Sequence, residues 1–320
     1  MISILVTYYN QEKYVSRSLD SIFAQNLTEE FEVLVGDDGS QDGTCKIVND
    51  YMEKYPGKIK LNIQPRDVTQ KYNPVERASK NRLDLLKMAK GEFVCFLDGD
   101  DEYCDFNWIQ ESIDILKKDK TLVGVAHNFC EKFSDGRVEY PSGIENNKQI
   151  SSKLYCRKLY TPAGTIVFRN TFTSFDYEKL VNLKSFDDND ITFYFLNSGN
   201  LYCDNKCVYT YYQNDNSIWH SANELEKFLI NAIDYEILKK ILIKNHFQLF
   251  LKYYAQVYNV FRMRIELSNE KYDKYHSQAL KNGDIYKLLC WNKQSLIVKV
   301  YLKMKFFTLK VFQYILERIF

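Results

Sequence analysis

Phe93-Val-Cys-Phe-Leu-Asp-Gly-Asp-Asp101 is the stretch on which the reading of this chain turns. Phe93 to Leu97 is an apolar run of strand length, suited to burial on both faces, and the turn that follows carries three carboxylates. The same alternation runs upstream. Ile2 to Tyr8 is a β-branched apolar run, after which Tyr14, Val15, Leu19, Ile22 and Phe23 fall on one helical face. Phe31-Glu-Val-Leu-Val35 is a second strand ending in Gly36-Asp37-Asp38-Gly39-Ser40. Ser40 or Asp42 is placed to cap a helix carrying Ile47, Val48, Tyr51 and Met52. Lys58 to Ile63 is a third strand. Ala78 to Ala89 is a helix with Leu83, Leu85, Leu86 and Met88, closed by Gly91 in the C′ position. This order predicts an α/β fold with a mostly parallel central sheet and helices on both faces. Ligands of such sheets bind outside the carboxyl ends of the strands. Here those ends are Thr7 to Asn10, Asp37-Asp38 and Asp98-Gly99-Asp100-Asp101.

Beyond Asp101 the pattern predicts a helix from Trp108 to Lys117 and a strand from Leu122 to Cys130, then less regular pieces up to Tyr212. Residues 222–320 contain Gly283 as their one glycine and read as a run of helices, so a boundary is expected near 220. Composition suits a soluble globular chain of one large or two modest domains: 320 residues, 45% apolar and 27% charged. Lys+Arg 43 against Asp+Glu 42 leaves a net charge of +1, which supplies no field for nucleic acid, so no nucleic-acid partner is expected. The eight cysteines are scattered, and Cys203 and Cys207 lack a second pair at zinc spacing, so free thiols in a reducing cytoplasm are expected. Met1-Ile-Ser-Ile-Leu-Val-Thr7 has no basic n-region, and no stretch approaches the ~20 apolar residues that span a bilayer.

The chemistry sits on two turns. Asp98, Asp100 and Asp101 repel one another unless a cation neutralises them. A hard divalent ion, Mg²⁺ or Mn²⁺, fits such oxygen ligands and would bridge a diphosphate. The plain alternative is a solvated acidic turn. In Asp37-Asp38-Gly39-Ser40-Gln41-Asp42-Gly43-Thr44 a carboxylate can accept from the N–H of a base or from ribose hydroxyls, although Asp, Gly and Ser are also ordinary turn residues.

In their spacing and order, four stretches resemble the family 2 glycosyltransferases, inverting enzymes with an A-type nucleotide-sugar-binding fold. They are Ser3-Ile-Leu-Val-Thr-Tyr-Tyr-Asn10, Leu19 to Gln25, Val35 to Thr44, and Ala89 to Asp101. The resemblance covers roughly residues 1–105, is looser to 220, and leaves the helical tail without a named motif. It implies that 1–220 binds nucleotide sugar and acceptor; 221–320 is expected, from its composition, to be a helical C-terminal region. Thr7, with Tyr9 at the same strand end, would meet the uracil ring. Asp38 would bond the base with Asp37 in support. Arg82 matches the arginine of a helix-borne Ala-Arg-Asn, although Leu83 stands where the family has Asn, and Arg77 rivals it for the diphosphate. Asp98, with Gly99 beside it, would contact ribose or metal, and Asp100 would ligate Mn²⁺ or Mg²⁺ directly.

The family carries its general base on an acidic pair that opens a helix. The matching segment is Ser185-Phe-Asp-Asp-Asn-Asp190, in which Glu-Asp has become Asp187-Asp188. Asp188 is preferred, then Asp187, then Asp190; the same residues would also serve as helix caps. Thr161-Pro-Ala-Gly-Thr165 resembles a loop flanking the acceptor, Asn216-Ser217-Ile218 one that closes over the diphosphate, and His220 a late metal ligand or a structural histidine.

Residues 295–320 combine a net charge of +4 with a wide aliphatic and aromatic face. They suit either an anionic membrane surface or a core-packing or dimerising helix. The expected activity is therefore an inverting, metal-dependent hexosyl transfer from a UDP-sugar. The acceptor would be a glycan or lipid-linked saccharide of a bacterial surface polymer, at the inner face of the cell membrane. The competing readings are a sugar-phosphate nucleotidyltransferase, which would normally show a Gly-rich, Lys-bearing phosphate loop after its first strand, and an inactive glycan-binding protein on the membrane.

Overall fold

The structure is a computed structural model, and it describes residues 1–67, 69–70, 72–141, 144–146, 148–158, 162–181, 183–213 and 224–266. The boundary expected near 220, Thr161, the Asn216 to Ile218 motif, His220, Cys290 and the tail 295–320 lie outside these residues.

Strands β1 (Ile2–Tyr8), β2 (Phe31–Asp37), β3 (Ile59–Ile63) and β4 (Phe93–Asp98) alternate with helices α1 (Val15–Phe23), α2 (Thr44–Lys54) and α3 (Pro74–Met88). Next come β5 (Glu102–Tyr103), α4 (Trp108–Lys118), β6 (Leu122–Lys132), β7 (Val138–Glu139), β8 (Lys148–Ile150) and α5 (Ser152–Lys158). After a 3-10 turn at Ala163–Thr165 follow β9 (Ile166–Arg169), α6 (Ser174–Leu180), α7 (Asp188–Leu196), β10 (Asn200–Tyr212), α8 (Glu224–Ile241) and α9 (His246–Glu266). The main sheet runs β3-β2-β1-β4-β9-β6-β10-β5. Its first four strands are parallel, β9 is antiparallel to both its neighbours, and β10 returns parallel to β6. The sheet is thus mixed, with β9 reversed between two parallel sets and the edge strand β5 antiparallel to β10.

Register places the site. Thr7 sits opposite Gly36 on one side and Asp98 on the other, and Tyr8 sits opposite Asp37. Three strand ends therefore finish in one row. Above them lies α3, which begins four residues earlier than its apolar pattern predicts. Asn73 caps it, accepting from the N–H groups of Val75 and Glu76, and Pro74 takes the first turn, where no N–H is needed. The α2 start also differs from expectation: Gly43 is the cap residue, while Asp42 accepts from the Thr44 and Glu12 N–H groups.

Gly91 does not close α3 in a left-handed conformation. The chain is already extended at Ala89, and Gly91 lies where a Cβ would come within 2.5 Å of the Ser3 nitrogen and 2.6 Å of the Phe93 oxygen. It is glycine because two backbones meet there. Helix α7 shows almost no amphipathic pattern because every residue from Asp190 to Leu196 is buried. Its Phe193 and Phe195 belong to a hydrophobic cluster that also holds Leu34, Leu86, Phe96 and Phe168 from the sheet and α3, and Leu229, Leu238, Leu249 and Val257 from α8 and α9. Among the described residues, no helix is long and apolar enough to cross a membrane.

Gly91→Ala should lower unfolding free energy in urea by roughly 2–3 kcal/mol, the cost of overpacking against backbone that cannot yield. Gly57→Ala, at φ 76° with nothing within 4 Å of the added carbon, should cost only about 1 kcal/mol of backbone strain. Equal losses for the two would show that close approach is not why Gly91 is glycine.

Candidate active site

The first half of the site is built at the end of β2. Asp37 is fully buried, and its carboxylate accepts from the N–H groups of Gly39 and Ser40 (3.0 and 2.8 Å) and from the Ser40 hydroxyl (2.5 Å). It shapes the turn, while Asp38, also buried, takes its partners from side chains. Asp38 is clamped by two guanidiniums: Arg66 reaches Oδ2 at 2.9 Å, and Arg77 bonds Oδ1. Arg66 lies over the Tyr9 ring at 4.0 Å, and Arg77 lies 4.8 Å from the Tyr72 ring centre. Arg77 thus sits on Asp38. Arg66 was not singled out by sequence reasoning. The signal was available, because Gln64-Pro65-Arg66 follows the carboxyl end of the third parallel strand.

The second half gathers at the end of β4. Arg82, one and a half turns beyond Arg77 on α3, donates to Asp98 Oδ1 at 2.7 Å. Burial alone would lower the Arg82 pKa, but Asp98, then Asp188 and Asp187, raise it above its ordinary value. The cation stays charged. Gly99 packs so closely on Tyr8 that a Cβ would stand 2.2 Å from the ring, and its N–H donates to the Thr7 carbonyl at 3.1 Å. Arg17 holds the turn from the other side by donating to the Asp100 carbonyl.

The three carboxylates of this turn do not act as one cluster. Asp101 is buried, turned into the core, and accepts from the Tyr209 hydroxyl (2.6 Å) and the Tyr212 N–H (2.8 Å). Burial, then Asp100 and Asp98, push its pKa well above the ordinary range. The cation beside Asp98 is Arg82. Asp98 and Asp100, both half-exposed, are the two carboxylates left at the mouth. Two carboxylates beside a diphosphate are the set a Mg²⁺-like ion takes, since it keeps its other positions for waters and phosphate oxygens. The residues therefore fit such an ion, although no group of three or more His, Cys, Asp or Glu able to hold a metal exists among the described residues.

Helix α7 brings the third acidic group to this corner. Asp187 is its cap: Oδ1 accepts from the N–H groups of Asn189 (3.1 Å) and Asp190 (3.4 Å), while Asp190 Oδ2 accepts from the Asp187 N–H (3.3 Å). That reciprocal box commits Asp187 and Asp190 to local structure. Asp188 accepts from the Ala163 N–H at 2.7 Å, which links it to the Pro162 to Thr165 loop. Burial, then Asp98 and Asp187, raise its pKa to about 6, against the opposing pull of Arg82 and that N–H. Asp98, Arg82 and Asp188 thus meet, although they lie 16 and 90 residues apart in sequence.

Comparison with known proteins follows this geometry. The model of the family described as glycosyl transferase family 2 matches residues 3–179, so Asp187 and Asp188 fall just beyond the matched segment. The chain is 34% identical over 173 residues to the poly(ribitol-phosphate) beta-N-acetylglucosaminyltransferase TarS of Staphylococcus aureus, which is 53% of this chain and 27% of that protein. It is 28% identical over 175 residues to the GalNAc(5)-diNAcBac-PP-undecaprenol beta-1,3-glucosyltransferase of Campylobacter jejuni, 53% of this chain and 52% of that one. This chain therefore spans about a quarter to a half of the length of these relatives. In fold it is similar to S. aureus TarS 1-349 in complex with UDP-GlcNAc, with a TM-score of 0.57 and 21% identity, covering 94% of this chain and 79% of the other.

The raised Asp188 pKa carries a stability consequence. Its folded value, about 6, lies above the unfolded value, so the contribution of the protonated form is full below about pH 4 and is lost as pH rises through 6. Asp188→Asn, which cannot ionise, should raise Tm at pH 7.5 relative to the unmodified protein, and the gap should narrow as pH falls below 6 and close near pH 4. A lower Tm for the variant at pH 7.5 would contradict the raised pKa.

Proposed function

This chain belongs to glycosyl transferase family 2, and we propose that it transfers a hexosyl unit from a UDP-sugar, with inversion, to a glycan or lipid-linked saccharide in assembly of a bacterial surface polymer. The observation that carries this reading is the meeting of Asp98, Arg82 and Asp188 at the carboxyl edge of the parallel strands. UDP-GlcNAc in the similar TarS structure supports the donor class. The names of the S. aureus and C. jejuni relatives support a polymeric or lipid-linked acceptor. No feature of the site favours a nucleotidyltransferase or an inactive binding protein.

In this reading the base lies against Thr7, Tyr9 and Asp38, with Arg66 and Arg77 holding the Asp38 carboxylate in place. The diphosphate lies toward Arg82, whose retained positive charge offsets the charge that grows on the leaving group. A divalent ion, Mn²⁺ or Mg²⁺, held by Asp98 and Asp100 would add Lewis-acid stabilisation of that leaving group. The acceptor hydroxyl approaches from the side of Asp188 and the Ala163 loop. Its oxygen bonds to the anomeric carbon while the bond from that carbon to the diphosphate oxygen breaks. The leaving UDP takes that electron pair, and Asp188 takes the hydroxyl proton. A base with a pKa of about 6 is mostly ionised at pH 7 yet basic enough to assist. The net +4 of residues 295–320 supports seating on anionic lipid, which co-sedimentation with phosphatidylglycerol vesicles at low and high salt tests.

Asp188→Asn should lower turnover at least ~100-fold and leave UDP affinity within about twofold, because the base acts on the acceptor. Turnover of the unmodified protein should fall tenfold per pH unit below about 6. Asp100→Ala should abolish the Mn²⁺-dependent part of the UDP thermal shift. An active Asp188→Asn protein sinks the base assignment. An undiminished Mn²⁺ effect in Asp100→Ala sinks the metal assignment.

A further inference from the structure

Asp234 lies in the middle of α8, fully buried, some 50 residues past the segment matched by the family model. A carboxylate is costly to bury there unless it holds something. Its Oδ1 accepts from the Lys184 N–H at 2.9 Å, and the Ser185 N–H also bonds to it. Its Oδ2 is buried without a hydrogen-bond partner. Ser185 continues the connection, its hydroxyl standing 3.5 Å from Asp190 Oδ2, the oxygen that closes the capping box of α7. A second anchor comes from α3, where Ser79 Oγ accepts from the Phe186 N–H at 2.7 Å. The three residues before the cap are thus gripped from α8 on one side and α3 on the other. Burial drives both Asp190 and Asp234 well above the ordinary carboxylate range, and raises Asp188 to about 6.

We propose that Asp234 is a positioning residue for Asp188: from a helix outside the family-matched segment it fixes the Lys184–Ser185 backbone, and so sets which acid of the run faces Asp98 and Arg82. One turn of slack in that loop would present Asp187 or Asp190 instead, and a displacement of ~1 Å at a reacting group costs up to ~100-fold in rate. The inference rests on the reading of Asp188 as the general base.

The test is a mutant cycle on the full chain, with turnover and UDP affinity measured in parallel. Asp234→Ala should lower kcat roughly 10- to 100-fold, with the UDP dissociation constant and acceptor KM each within about twofold. Asp234→Asn, whose Oδ1 still accepts from Lys184, should recover most of kcat. In the Asp188→Asn background Asp234→Ala should subtract nothing further. Retained kcat in Asp234→Ala, no rescue by Asn, or an equal loss in both backgrounds overturns the proposal. Should Asp234→Ala fail to fold, Asp234→Leu, which keeps the volume and removes the acceptor, takes its place and must lower kcat with UDP affinity kept; an unchanged kcat overturns the proposal. An active Asp188→Asn protein instead marks failure of the base reading, whatever Asp234 does.

Discussion

The Arg82 guanidinium lets Asp98, Asp187 and Asp188 share one corner of the molecule. Two like charges ~5 Å apart near a protein surface repel by about 3 kcal/mol, so three carboxylates cannot converge unless a cation intervenes or one takes a proton. Here both relief routes operate. Arg82 pairs with Asp98 and is itself held charged by the acids around it, while Asp188 keeps a pKa of about 6, midway between a free carboxylate and a permanently neutral acid. Remove the guanidinium and the approach of α7 to the end of β4 becomes unfavourable. The helix carrying Arg82 is therefore as much a part of the site as the strands that end in it.

That helix is placed by a buried side chain that meets strand backbone and leaves little play. Asn81 on α3 donates to the Gly36 carbonyl at 2.9 Å, and a Cβ on Gly36 would fall 2.1 Å from the Asn81 oxygen. With α3 pressed on β2 at that point, Arg77 and Arg82 project toward the ends of β2 and β4, separated by the strand that carries Thr7. Spacing along the helix thus sets a spacing across the sheet, from the end of β2 to the end of β4.

Much of this was legible in the sequence because the parallel strands are apolar throughout and end abruptly in acid. The runs at Ile2, Phe31, Lys58 and Phe93 gave the sheet, and their ends gave Asp38, Asp98 and Asp100 as candidates. Reading stopped where side chains at a distance decide the matter. Asp101 looks like its neighbours in sequence, and only the Tyr209 hydroxyl and Tyr212 N–H from β10 turn it inward. Arg66 follows a strand whose Ile63 is half-exposed, so the end of β3 stood out less than the others. Gly91 was read as a helix stop because that is where such glycines usually sit, whereas the constraint came from Ser3. The reversed β9 was not foreseen, because Ile166–Arg169 is four residues long and pairs only through contacts far apart in sequence.

The cluster that joins Leu34, Phe96 and Phe168 to Leu229, Leu238 and Val257 also sets how such a chain can diverge. The acid-bearing strand ends sit on the sheet side of that cluster, and α8 and α9 form its other wall. A recombination event that swapped residues 3–179 between relatives would bring together apolar surfaces shaped for different partners, leaving voids or clashes in the shared interior. Change in the helical wall is therefore constrained by the strands it covers. The segment that carries the strand ends can change only together with the helices that cover it, and does not behave as an interchangeable cassette.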